Sequence, residues 1–138
     1  MESASSSTVK QMLKKHITET QQQIVNLTQV FEILGLSAKR VGCDAAKGLV
    51  SEGNKTVKET SAVPALADLA IVSSCSKVEH YEIASYRGLI MGAEMMGQTE
   101  VARLLSENLQ QEETTATTLE TNMPELLTKA MKTASKAA

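Results

Sequence analysis

Apolar residues recur at steps of three and four along almost the whole chain, the mark of amphipathic helices. No stretch alternates apolar and polar positions as a half-buried strand does. After the serine cluster Ser5-Ser6-Ser7, any of which can cap a helix, the first run carries Leu13, Ile17, Thr20, Ile24, Leu27, Phe31 and Leu34. This seven-residue repeat predicts a helix packed beside a near-parallel neighbour, with Gly35 as its stop. A shorter amphipathic piece follows over 44–60, capped by Asp44, with Ala46, Leu49, Val50 and Val57 facing inward. Gly48 and Gly53 weaken it as an isolated helix, so it reads as a connection laid over a bundle. A second long helix is predicted from Pro64 to Met96, ending at Gly97, and a third from a Thr99 cap through Leu119, stopping before Asn122-Met123-Pro124. The tail PELLTKAMKTASKAA adds a short apolar stripe. The pattern predicts an all-α helical bundle of three long helices and a short crossover helix. One domain is expected over 1–138, with 1–7 and 132–138 frayed.

With 42% hydrophobic and 22% charged residues the chain falls among soluble globular proteins. Aromatic residues make up only 2%, so the core has to be built from Leu, Ile, Val, Ala and Met, which suits close-packed helices. The seven methionines read as fillers of that core. A net charge of −2 gives no attraction to nucleic acid, and no apolar run is long enough for a membrane span, so neither partner is expected. Scarce aromatics and the lack of a basic face also argue against a lipid-surface helix. The first ten residues lack the basic-then-apolar order of a secretory signal. Cys43 and Cys75 read as small, reduced packing residues, and a cytoplasmic location is expected. There is no Gly-rich phosphate loop and no Gly-x-Ser-x-Gly nucleophile motif.

The chemistry lies on the helix seams. On the second long helix the stripe Ala65, Asp68, Val72, Cys75, Glu79, Glu82, Tyr86, Leu89, Ala93 and Met96 shares one face. Glu79 and Glu82 therefore point the way Val72 and Leu89 do, while His80 falls on a flanking, more polar stripe. On the third helix Glu112 sits in the seam Ala102, Leu105, Leu109, Glu112, Ala116 and Leu119. A carboxylate in a core costs several kcal/mol unless its pKa rises, a basic partner reaches it or a cation binds. Bundles that hold two iron or manganese ions place glutamates and histidines at such positions. The alternative is a looser bundle whose glutamates reach solvent or pair with Lys77, Arg87 or Arg103. On the first helix His16 and Glu19 are three apart, a spacing that sets two ligands on one side. They flank the apolar seam and reach the core only if another helix covers that flank. Tyr86, one turn from Glu82, is placed to hydrogen-bond a carboxylate or to serve as an amphipathic core residue.

The segments HITETQQQIVNLTQVFEILG, GLVSEG, VEHYEIASY and TEVARLLSENLQQEE occur in this order. Together they resemble the YciE/YciF-type bacterial stress-response proteins of the ferritin-like, rubrerythrin-related superfamily. The resemblance implies a ferritin-like bundle, a homo-oligomer (a dimer) and a dinuclear centre of iron or manganese. Carried over by position, it implies metal ligation by His16, Glu19, Glu79, Glu82 and Glu112, with Glu113 as the fallback for Glu112. His80 and Glu52 match family positions, and their roles stay open, as does any catalytic activity. Family members begin with a further long helix bearing a carboxylate, and this chain starts near that helix's end. The expectation is that a second chain supplies the missing surface or that the site is partial. The alternative function is a metal-free structural or interaction bundle that oligomerises.

Overall fold

The computed structural model describes residues 4–137, and its regular elements are four helices: α1 (Ser7–Ile33), α2 (Asp44–Thr60), α3 (Pro64–Met95) and α4 (Thr99–Ala137). No strand occurs among the described residues. Helices α1 and α3 stop where glycine permits a left-handed residue, at Gly35 (φ 66°) and Gly97 (φ 70°). In both, the glycine amide donates to the carbonyl three residues back, and the next amide reaches back five, Leu36 to Phe31 and Gln98 to Ala93 at 2.9 Å. Helix α2 is capped one residue earlier than expected, because Cys43 Sγ accepts from the Ala46 amide at 3.5 Å. Asp44 instead lies in the first turn, where its charge complements the helix dipole.

The predicted break at Asn122-Met123-Pro124 is overturned, since α4 runs through it. Proline lacks the N–H that would bond the Glu120 carbonyl, but Pro124 and Glu120 lie on the solvent side, where an unbonded carbonyl is not buried. On the inner side Leu119, Met123, Leu126 and Ala130 continue the apolar stripe, and the first three pack against Val9, Met12 and Val72. That burial offsets the roughly 3 kcal/mol penalty of an interior proline.

Helix α3 is the centre of the bundle: α4 packs along it, α2 packs on it from another side, and α1 packs on α4. Helix α2 comes close to α3 at Gly53, where a Cβ would stand 3.0 Å from Ser74 Cβ. Two apolar clusters fill the ends. Val30, Tyr86, Ala93, Val101, Leu104 and Leu105 form one, and Val9, Ile71, Val72, Leu119 and Leu126 belong to the other. Between them lies a band of polar and charged side chains.

That band corrects the expected face of α1. Ile17 and Ile24 are 47% and 58% exposed, and Leu34 is also turned out, whereas Val9, Gln23, Asn26 and Val30 are buried. The helix is rotated so that the polar flank faces its neighbours, because α4 covers that flank and supplies partners for its amides. The methionines also depart from expectation. Met91, Met95, Met96 and Met131 are exposed, while Met12 and Met123 pack at the core's edge.

Of the ends expected to fray, residues 1–3 and Ala138 lie outside the described residues. Ala4 is buried, and the buried Asp68 of α3 accepts hydrogen bonds from Ser5 N (2.7 Å), Ser5 Oγ (2.5 Å) and Ser6 N (2.9 Å). The Ser6 N-cap makes no side-chain capping bond. Helix α4 continues to Ala137. Among the described residues no helix is long and apolar enough to cross a membrane.

Candidate metal centre

Three helices each bring one donor group to the middle of the polar band. His16 of α1, Glu79 of α3 and Glu112 of α4 have ligand atoms within 4.8 Å of one another. Glu79 and Glu112 are each 0% exposed, and His16 Nε2 stands 3.5 Å from Glu79 Oε1. Among the described residues no hydrogen-bond partner reaches either oxygen of Glu79, either oxygen of Glu112, or His16 Nδ1. The basic residues that could have neutralised the carboxylates are engaged elsewhere. Lys77 pairs with Glu52, Arg87 with Glu113 at 2.7 Å, and Arg103 with Glu100 and Glu107. Glu113 is thereby directed outward, and Glu112 is the inward member of the pair.

Glu82 and Glu19 do not belong to the three-residue cluster, but their charges act on Glu79. Burial raises the half-buried Glu82 carboxyl to about 7, with the Glu112 charge adding to the effect. Glu19 is held by Lys15 at 2.8 Å and by the Thr115 hydroxyl at 3.3 Å. His80 lies off the seam, exposed, with Nε2 2.8 Å from Glu120 Oε1.

Burial is also the first reason that the Glu79 carboxyl is pushed well above the ordinary range, followed by its contact with Glu112 and the charges of Glu112, Glu82 and Glu19. Two buried carboxyls with free lone pairs and no Lys or Arg beside them have two ways to settle: they retain protons or they bind a cation. The set offers carboxylate oxygens and an imidazole nitrogen, donors that suit iron, manganese and zinc. The residues present therefore fit a metal, on the evidence of their own unpartnered atoms.

Two features were not foreseen. The first is a buried amide network one turn along α4. Asn26 Nδ2 donates to Asn108 Oδ1 at 2.7 Å, and Asn108 Nδ2 donates to Tyr86 Oη at 3.1 Å and to the Gln23 carbonyl at 3.3 Å. Its signal was available, because Asn108 sits three residues after Leu105 and four before Glu112 on the same seam. The second is a cavity of about 300 Å3 between α1, α2 and α3, lined in part by Leu13, Val57, Ile71 and Cys75. His16 and Glu79 also line it.

A bundle of long helices with carboxylates and a histidine converging in its interior defines the class of protein. The chain belongs to the DUF892 family, a domain of unknown function, whose match spans residues 1–132. It is 40% identical over 106 residues to Protein YciF of Escherichia coli K12, a match covering 76% of this chain and 63% of YciF. The chain thus spans less than two thirds of that relative's length. The crystal structure of the E. coli stress protein YciF superposes with a TM-score of 0.86 at 36% identity, covering 93% of this chain and 80% of that one. A second solved structure, "YcfI, a putative structural protein from Rhodopseudomonas palustris", matches with a TM-score of 0.84 at 42% identity, covering 87% of this chain and 76% of the other. The kinship with YciF-type stress proteins and the all-α bundle, both expected from the motifs and periodicity, are borne out.

Proposed function

We propose that the chain is a metal-binding stress protein in which His16, Glu79 and Glu112 are the core of a dinuclear iron or manganese site, with Glu82 and Glu19 as its further ligands. The observation that supports this most is the set of four carboxylate oxygens, fully buried and unpartnered, beside a histidine nitrogen. Glu79 and Glu112 would give the site its negative charge, and His16 would bind through a neutral ring nitrogen. Glu19 would exchange Lys15 for the metal while keeping the Thr115 hydroxyl that orients it. A bound pair of ions would supply redox chemistry toward dioxygen or peroxide. Elemental analysis of tag-free protein tests the reading, with stoichiometric iron or manganese expected in the wild type and lost in Glu79→Ala/Glu82→Ala. Wild-type protein that stays metal-free after anaerobic iron loading would overturn it.

One observation favours a second reading, a structural or interaction bundle. Helix α1 turns Ile17 and Ile24 outward, and the Rhodopseudomonas palustris relative is described in structural terms. Either reading is compatible with a homodimer that covers this stripe, and Ile17→Glu/Ile24→Glu is expected to shift the mass seen by light scattering from dimer to monomer. The free thiols Cys43 and Cys75 suit a reducing cytoplasm.

A further inference from the structure

We infer that a polar groove between α1 and α4 is the entry passage for a hydrated divalent cation, with Glu107 on its exposed rim and Glu19 as the carboxylate that hands the ion inward. This rests on the metal reading above and adds the route, which that reading leaves open. Glu79 and Glu112 are 0% exposed, so an ion cannot reach them directly from solvent. Glu19 is 17% exposed and lines the groove. It also lies three residues beyond His16 and meets the hydroxyl of Thr115, three residues beyond Glu112. Its carboxylate thus belongs to the groove on one side and adjoins the buried centre on the other.

The lining selects what passes. The groove, of about 360 Å3, is walled by two carboxylates, Glu19 and Glu107, four side-chain amides and the Thr114 hydroxyl, with no Lys or Arg among its lining residues. Every one of these groups offers an oxygen, and carboxylate and carbonyl oxygens can replace the waters of a hard cation one at a time. Gln111 Oε1 is buried, has no hydrogen-bond partner and belongs to the residue just before Glu112. The groove between α1, α2 and α3 also touches His16 and Glu79, but Leu13, Val50, Val57 and Ile71 give it largely hydrocarbon walls. A cation stripped of water there would find few oxygens in exchange.

Uptake of Mn(II) by chelator-treated, tag-free protein tests the route, followed in rapid-freeze samples as loss of the free ion's electron paramagnetic resonance signal. Gln110→Arg, which sets a positive charge in the groove from an exposed position, should slow uptake about tenfold, and Glu107→Gln about fivefold. Both variants should reach the wild-type stoichiometry at equilibrium. Added salt should narrow the difference in rate, because it screens the steering charges. Val50→Phe, in the apolar groove, should load at the wild-type rate. Circular dichroism melts establish that each variant is folded. Unchanged rates in Gln110→Arg and Glu107→Gln, or an equal slowing by Val50→Phe, would overturn the route and leave the metal centre standing. A lower final stoichiometry in either groove variant would also overturn it, since residues of a passage hold no metal at equilibrium. A wild type that takes up neither Mn(II) nor, anaerobically, Fe(II) would overturn the route and the centre together.

Discussion

Asn108 and Glu112 lie one turn apart on the same face of α4, and each is fully buried. Around Asn108 the asparagine amides find complements: Asn26 donates to Asn108, Asn108 donates to Tyr86 and the Gln23 carbonyl, and Gln22 donates in turn to Asn26 at 3.0 Å, with the Gln23 side-chain nitrogen alone left open in this cluster. Around Glu112 the neighbours are Glu79 and His16, and the carboxylate oxygens are left open. The contrast follows from chemistry. A side-chain amide carries donors and acceptors together, so a few of them can close a network inside one chain. An ionised carboxylate only accepts, so two of them side by side need a proton or a cation from elsewhere. The first cluster is arranged for a unique, tightly specified core, and the second for a guest.

If that contrast is right, substitutions in the two clusters have opposite signs. The largest effect is expected for Asn108→Ala. It leaves buried groups of Asn26, Tyr86 and Gln23 without partners and should cost about 3 kcal/mol in urea denaturation. Glu79→Met should raise the stability of metal-free protein by about 1–2 kcal/mol, because an apolar side chain of similar size replaces an uncompensated buried acid. A destabilised Glu79→Met would break the comparison.

A pH series sharpens it. The carboxyls of Glu79 and Glu82 lie above their unfolded value of 4.5, Glu82 at about 7. Above pH 4.5 the folded protein therefore holds more protons than the unfolded chain. Their contribution is fullest below that pH and is lost as pH rises through 7 and beyond. The urea midpoint of chelated protein should fall between pH 5 and pH 8, and Glu79→Met should flatten the decline. A wild-type midpoint that rises over this interval would contradict the assignment. The smallest effect is expected for Tyr86→Phe, about 0.5–1 kcal/mol, because Asn108 keeps the Gln23 carbonyl when the phenol is removed.

Periodicity placed the middle of α3 and of α4 well because each has neighbours on a defined side there, although Leu89 and Met96, counted on the same stripe of α3, are exposed. Glu79 and Glu112 fell inward on a count of three and four, and Glu113 fell outward to Arg87. On α1 the same count selected Ile17 and Ile24 and missed the true inner face. Apolarity marks burial only where the buried partner is apolar, and here α4 presents Asn108, Glu112 and Thr115 to that helix. His16 and Gln23 are inward because of what faces them across the bundle, which no local window contains. Pro124 misled for a related reason: the penalty of the proline is local, whereas the packing of Leu126 that offsets it involves Val9, more than a hundred residues away in sequence.

The clasp between Asp68 and the amides of Ser5 and Ser6 bears on the order in which the chain assembles. It closes a separation of 63 residues, and the α1–α4 amide contact spans 82, whereas α3 and α4 form a hairpin joined by a three-residue connection. Loop closure favours the local pair, so α3 and α4 pair first and α1 docks onto a preformed surface. In the native protein, opening runs the other way. The backbone amides of α1 should exchange with deuterated solvent through partial opening, ahead of those in the middle of α3. The half of the candidate centre carried by His16 would then be the half that comes and goes, on a surface that keeps Glu79 and Glu112 in register.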